Sequence, residues 1–382
     1  MEPLLPEESQ RRDLVDLAVE LIANARSLAA RLHPKVAESV GDLVRSMNCY
    51  YSNLIEGHDT HPRDIDRALA NQFSHDAKKR VLQLEARAHI EVQQLIDSDQ
   101  APFSTESHFI RWIHEQFYRR LPDELLWSVN PDNGQKLQVI PGEFRTTWVQ
   151  VGRHIPPAPE EIPGFLKRFD EGYNPSQLNK VDGIIAVAAS HHRLLWIHPF
   201  LDGNGRVARL FSHAFLRYMG VGSSLWSISR GLARQVEEYK ASLAEADSLR
   251  RGDLDGRGNL SAQALKDFCR FFLTVCLDQI NYMDSLIEPS KLINRIELYT
   301  TDQVLQGKLP KGSLAILREV LFSGEMERGK APMVTGYKER QARSVLNALI
   351  KARLLKSETP KGPVKLNFSI DIIEKWFPRL YP

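Results

Sequence analysis

The residues best suited to chemistry lie in one run, Ile197-His198-Pro199-Phe200-Leu201-Asp202-Gly203-Asn204-Gly205-Arg206-Val207-Ala208-Arg209. Pro199 closes a helical pattern upstream, and two glycines free the loop backbone. The N–H groups of Gly203, Asn204 and Gly205, with the positive end of a helix beginning near Arg206, can cradle phosphate oxygens without any side-chain charge. Asp202 stands beside this nest, where a carboxylate can hold Mg²⁺ against a polyphosphate. Arg206 and Arg209 are three apart and share a helical face, so both guanidinium groups can reach the same phosphate tail. His198 titrates near neutrality, which suits it to take a proton from an attacking hydroxyl. A base, a metal carboxylate, an anion nest and two arginines predict a transferase site.

This run matches the signature His-Pro-Phe-x-Asp/Glu-Gly-Asn-Gly-Arg-x-x-Arg at every defined position, and through it the chain resembles the Fic family. The resemblance implies a helical fold and transfer of AMP from ATP, with Mg²⁺, to a Ser, Thr or Tyr hydroxyl of a protein or of the chain itself. It casts His198 as the catalytic base and Asp202 as the metal ligand. Gly203, Asn204, Gly205, Arg206 and Arg209 would surround the phosphates, and Phe200 would anchor the loop in the core. Tyr239 and Asp247 fall where relatives often place residues that contact adenine. Pro141-Gly-Glu-Phe-Arg145 and the stretch after it look like the family's flap, which clamps the target by pairing with its backbone. Ser52-Asn-Leu-Ile-Glu56-Gly57 matches the Ser/Thr-x-x-x-Glu-Gly/Asn element of many relatives and implies self-inhibition. Glu56 would pair with Arg209 and deny that guanidinium to the γ-phosphate. Two alternatives stay open: removal of AMP from a modified protein, with Glu56 orienting a water, and a DNA-binding regulator that keeps a Fic core as a nucleotide sensor.

The elements that must position these residues are mainly helical. Apolar spacing predicts helices over 11–32, 36–54, from Pro62, 77–96, 109–121, 181–196, 206–218, 236–250 and 262–285, with Gly57 and Gly220 in capping positions. Between 141 and 163 the pattern breaks. Thr146, Thr147, Trp148, Val149 and Val151 favour strand and Gly152 a turn, which predicts a short β-hairpin flap. Beyond Lys308 the order is helix (313–321), helix (339–352) and two short strand-like runs around Thr359-Pro-Lys-Gly-Pro363, the order of a winged helix-turn-helix. The expected division is a helical inhibitory region over 1–105, a Fic catalytic core over 106–290 and a winged helix-turn-helix domain over 308–382.

Composition narrows the function classes. The 382 residues carry a formal charge of +2 and are 42% hydrophobic, which suits a folded multidomain protein and not a general polyanion binder. Lys311 to Gly362 is the basic exception, with eleven Lys and Arg against five Asp and Glu. There a helix carrying Arg340 and Arg343 could enter a DNA groove, although winged helices also serve as protein contacts. Cys49, Cys269 and Cys276 fit neither a zinc site nor a disulfide framework, and no signal or membrane-spanning pattern is present, so a cytoplasmic location is expected. Asp253 to Ala264 only mimics a calcium loop, since Arg257 and Ala264 replace its fifth and twelfth ligands. His191 and His192 are adjacent and point to different helix faces, so they form no metal pair. The expected partners are ATP and a protein hydroxyl, without a membrane; a homodimer and DNA contact through the winged helix are compatible with the sequence.

Overall fold

The computed structural model describes residues 1–129 and 134–381. Helices dominate: α1 (Arg12–Ala29), α2 (Pro34–Ile55), α3 (Pro62–Leu69), α4 (Ala77–Asp97) and α5 (Ser107–Tyr118) precede a two-stranded antiparallel ribbon, β1 (Trp127–Val129) and β2 (Lys136–Gln138). Then come α6 (Ile162–Tyr173), α7 (Lys180–Ile197), α8 (Asn204–Tyr218), α9 (Ile228–Arg234), α10 (Val236–Ala246) and α11 (Ala262–Ile287). The chain ends with α12 (Pro289–Leu305), α13 (Ser313–Ser323), α14 (Ala331–Thr335), α15 (Glu339–Lys351), β3 (Leu355–Lys356), β4 (Lys365–Leu366) and α16 (Ile370–Trp376). Among the described residues no helix is long and apolar enough to cross a membrane.

The chain divides into two compact units. One comprises Met1–Ala25, Asn48–Ser223 and Ser227–Gln279; the other comprises Arg26–Met47, Ser224–Trp226 and Ile280–Pro382. In the first unit α7 is the central rod, with an unbroken buried run from Gly183 to Leu194, and it packs on α6 and α8. Phe103, Phe109, Phe211 and Phe215 cluster beside it, with the Phe103 and Phe215 rings stacked at 4.7 Å. Burying such rings is worth about 2 kcal/mol each, so α8 is fixed from behind and its first turn is held still. Asn179 caps the start of α7 by accepting the Asp182 N–H, and Pro199 cannot continue the helix.

In the second unit α13 packs on α12, α14 and α15, while β3 and β4 pair Leu355 with Leu366 and Lys356 with Lys365. A bridge between Met326 and Val364 widens this hairpin. Ala342, Val345, Leu346 and Leu349 bury one face of α15. Trp376 is buried and meets Tyr299 edge to face at 6.0 Å.

The structure corrects three sequence expectations. Residues 141–163 do not form paired strands: only Val151 and His154 bridge there, and the regular ribbon lies earlier, at β1 and β2. The cause is local. The guanidinium of Arg145 takes up the carbonyls of Thr147 and Pro157, and Pro156, Pro157 and Pro159 have no N–H to give a ladder. The helix expected over 236–250 ends at Ala246, with a separate α9 before it, and α12 fills a stretch in which no element was expected.

Candidate active site

His198 follows α7 as its left-handed cap, with φ 50° and ψ 60° and its N–H bonded to the Leu194 carbonyl. A side chain beyond Cα makes that conformation costly by about 1 kcal/mol, so something must hold it. Arg145 does so. Its Nε donates to the His198 carbonyl at 2.8 Å, and its backbone N–H donates to the Pro199 carbonyl at 2.9 Å. Burial lowers the His198 pKa to about 4, and a hydrogen bond to the Leu195 carbonyl engages the ring. The imidazole is therefore neutral at physiological pH, as a proton acceptor must be.

The loop is closed from within by Asn204, whose amide accepts the Phe200 N–H and donates to the Phe200 carbonyl, both at 2.9 Å. Phe200 is fully buried and stacks on His114 at 3.9 Å, with the rings 6° from parallel. His114 in turn accepts the Gly142 N–H at 2.9 Å. Asp202 accepts a hydrogen bond from the Tyr118 hydroxyl at 2.7 Å. Burial alone would raise its pKa, but the charge of Arg206 and hydrogen bonds from Tyr118 and the Gly203 N–H keep it below the usual carboxylate range.

Gly203 precedes α8 at φ 79°, and a Cβ there would lie 2.8 Å from the Tyr118 hydroxyl oxygen. Gly205 leaves room for a different neighbour, since a Cβ on it would displace the Glu56 carboxylate. Glu56 thus lies against the backbone of the helix start that the sequence predicts to be a phosphate nest. Arg209, also buried, donates from Nη2 to Glu56 Oε1 at 2.5 Å, from Nε to Ser52 Oγ at 2.8 Å and from Nη2 to the Ser52 carbonyl at 3.2 Å. Burial would raise the Glu56 pKa, yet the adjoining Arg209 charge and hydrogen bond hold it down, so this is an ion pair. Gly57, at φ 82°, turns the chain out of α2 directly after it.

Arg206 has a separate partner. Its Nη2 lies 3.3 Å from Glu85 Oε1, and its guanidinium sits 4.9 Å over the Phe117 ring. Tyr239 is buried, with its hydroxyl 2.7 Å from His191 Nε2, and Asp247 lies 3.1 Å from His192 Nε2. His191 and His192 are therefore held in polar contacts of the core. The structure brings His198, Asp202, Gly203, Asn204, Gly205, Arg206 and Arg209 together with Ser52 and Glu56, and sets Tyr239 behind them. Sequence reasoning missed Glu85, Tyr118, His114 and the clamp made by Arg145. A polar stripe on the buried face of α4, comprising Glu85, His89 and Gln93, is the signal that could have pointed to Glu85.

Beside His198 lies a cavity of about 590 Å³ lined by Ser128, Val129, Leu137, Trp148 to Gly152, Ile155 and Leu201. Trp148 is 64% exposed and Ile155 66%, an uncommon outlay of large apolar side chains around one histidine.

Residues 104–216 match the model of the Fic/DOC family. Over 79 residues the chain is 42% identical to the protein adenylyltransferase Fic of Drosophila grimshawi and 39% identical to that of Drosophila erecta. Each alignment covers 21% of this chain and 16% of the relative, so the match spans a small part of those proteins. The fold is similar to a Fic family protein from Desulfovibrio desulfuricans, with TM-score 0.52, 17% identity and coverage of 92% of this chain and 96% of the other. It is similar also to Fic-1 from C. elegans, with TM-score 0.54, 17% identity and 74% of each chain covered. Residues 104–216 are thus similar to the Fic/DOC domain, and the fold of the chain is similar to that of Fic proteins.

Proposed function

We propose that the protein is an ATP-dependent protein adenylyltransferase held in check by Glu56. The observation that carries this reading is the convergence of a neutral, partly buried His198, an ionised Asp202 and the paired Arg206 and Arg209 on one helix start within the matched domain. The relatives named as protein adenylyltransferases agree with it.

In this reading His198 accepts the proton of a Ser, Thr or Tyr hydroxyl as its oxygen attacks the α-phosphate of ATP. The bond to the β-phosphate oxygen breaks and pyrophosphate leaves. Arg145 keeps the imidazole aimed by fixing its carbonyl. The N–H groups at the start of α8 and the two arginines receive the phosphate oxygens. Among the described residues no three His, Cys, Asp or Glu gather into a metal cage. A single ionised carboxylate is nevertheless what Mg²⁺ needs when phosphate oxygens and water complete its shell, so Asp202 would hold it. When bound there, the ion would neutralise charge on the departing pyrophosphate. The apolar cavity beside His198 would seat the target, with β1, β2 and residues 148–155 as its walls. Glu56, on Arg209 and against Gly205, stands where the γ-phosphate is needed, so ATP in its presence is poorly aligned for in-line attack.

The test is incubation of the purified chain and a cell lysate with α-labelled ATP and Mg²⁺. Labelled bands that require His198 support the reading. Release of AMP from a pre-labelled protein, without forward labelling, supports the reverse reaction instead.

A second reading concerns 308–382, for which we propose a winged helix-turn-helix that contacts duplex DNA. Arg340, Arg343 and Lys351 are exposed on α15 opposite its buried face, and they make no ion pair among the described residues. Lys356 and Lys365, by contrast, are engaged by Asp42, Glu38 and Glu358. A gel shift that weakens with salt supports the contact, with the logarithm of affinity falling by about 0.9 per neutralised phosphate for each tenfold rise in salt. Absence of a shift at low salt removes it.

A further inference from the structure

The contact of Glu56 with Arg209 is half of a larger arrangement. Directly after Glu56, Gly57 reverses the chain, and the His58 N–H returns to the Asn53 carbonyl at 2.9 Å. The Asn53 amide also reaches Thr60 Oγ1 at 3.4 Å, so the turn is tied to itself. The turn presents two side chains, and the second meets a carboxylate from another helix: His58 Nδ1 lies 3.0 Å from Glu85 Oε2 on α4. The other oxygen of that carboxylate faces Arg206. Glu85 is buried, whereas His58 is partly exposed.

We propose that Glu85 and His58 form a latch that positions Glu56. The buried carboxylate holds Arg206 with one oxygen and His58 with the other, and so pins the turn that carries Glu56 against the phosphate-binding helix.

Three observations carry the proposal. Arg206 cannot move freely to follow a displaced Glu85, because Phe117 backs its guanidinium and the residue is buried. Its Nε has no hydrogen-bond partner among the described residues, which leaves Glu85 as its principal anchor. The hydrogen bond that His58 donates to the Glu85 carboxylate raises the His58 pKa, which favours the charged imidazolium and strengthens the latch. Each arginine of the Arg206-x-x-Arg209 pair is thereby tied to the same three-residue turn, Arg209 through Glu56 and Arg206 through Glu85 and His58. Opening the turn means breaking both ties, so Glu56 is held more firmly than its single ion pair would hold it. This inference rests on the inhibitory reading of Glu56 and deepens it.

The experiment is a mutant cycle on the full chain, read by self-labelling with α-labelled ATP. His58→Ala in the otherwise native chain should raise labelling about two- to fivefold, the worth of one partly exposed ion pair. In the Glu56→Gly chain the same change should have no effect, because the latch then has nothing to position. A Glu85→Gln variant supplies the second arm. In the Glu56→Gly chain it should raise the KM for ATP, through Arg206, with kcat little changed and a lower melting point, because the buried guanidinium loses its anion. A rise with Glu56→Gly but none with His58→Ala would overturn the latch and leave the inhibitory reading standing. An equal effect of His58→Ala in both chains would overturn it too. No rise with Glu56→Gly would overturn the inhibitory reading and the latch together.

Discussion

The chain carries the same pattern twice: Arg206-x-x-Arg209 on α8 and Arg340-x-x-Arg343 on α15. Spacing is identical and the surroundings are opposite. Arg206 and Arg209 are buried, each against a carboxylate from a different helix region, whereas Arg340 and Arg343 stand in solvent without an ion pair among the described residues. A buried guanidinium must keep acceptors beside it, carbonyls around Arg145 and carboxylates beside Arg206 and Arg209, because leaving it unpaired costs several kcal/mol. In the proposed reading the first pair is therefore a fixed receptacle for phosphate, with Glu56 in the ligand's place on Arg209 and Glu85 anchoring Arg206. An exposed guanidinium needs no partner, so the second pair contributes attraction to any polyanion and little geometry. Spacing names the type of ligand; burial decides whether the protein must hold a substitute for it.

The first prediction probes the chemistry that depends on the buried pair. In a Glu56→Gly chain, His198→Ala should reduce AMP transfer by about 10²- to 10⁴-fold, the usual contribution of a general base, while ATP binding persists. Equilibrium binding and single-turnover labelling separate the two, and undiminished labelling would remove His198 as the base. Next, Arg206→Ala should lower folding stability by about 3–5 kcal/mol, since it strips the buried Glu85 of its guanidinium. Arg343→Ala should leave the melting point unchanged. Denaturant unfolding of the two variants breaks the comparison if they behave alike.

The third prediction is a pH profile. Burial depresses the His198 pKa to about 4, so the base is neutral across the physiological range and is lost only as pH falls through that value. Measured on the Glu56→Gly chain, kcat/KM should therefore show no acid limb from His198 between pH 6 and 7, where an imidazole with its ordinary pKa near 6.5 would already lose activity. A limb centred near 6.5 would mean that the histidine is solvated in the active form.

Most of this arrangement was legible in the sequence, for reasons that can be named. The run from His198 to Arg209 is local, so its glycines, its proline and its arginine spacing state their own geometry, and α7 and α8 follow from apolar periodicity. Ser52 and Glu56 were legible only because a motif marks them; their contact with Arg209 joins residues more than 150 positions apart. Glu85 carries no motif. It shares the face of α4 that carries Ala88, Val92 and Ile96, so its burial follows from the helical period, but nothing local names Arg206 and His58 as its partners. Arg145 falls in the stretch expected to form a hairpin, yet its guanidinium makes four hydrogen bonds to carbonyls, and pairing there is confined to the Val151–His154 bridge. Strand propensity in Thr146 to Val151 could not report that competition.

The central claim is that Glu56 occupies the place of the γ-phosphate on Arg209. Its most direct test is self-labelling with α-labelled ATP by the native chain and by Glu56→Gly, across a range of ATP concentrations. The account predicts at least about a tenfold rise for Glu56→Gly, since one charge-assisted hydrogen bond to a buried arginine is relieved, and disappearance of that rise when Arg209→Ala is added. Equal labelling by the two chains at every ATP concentration would contradict it.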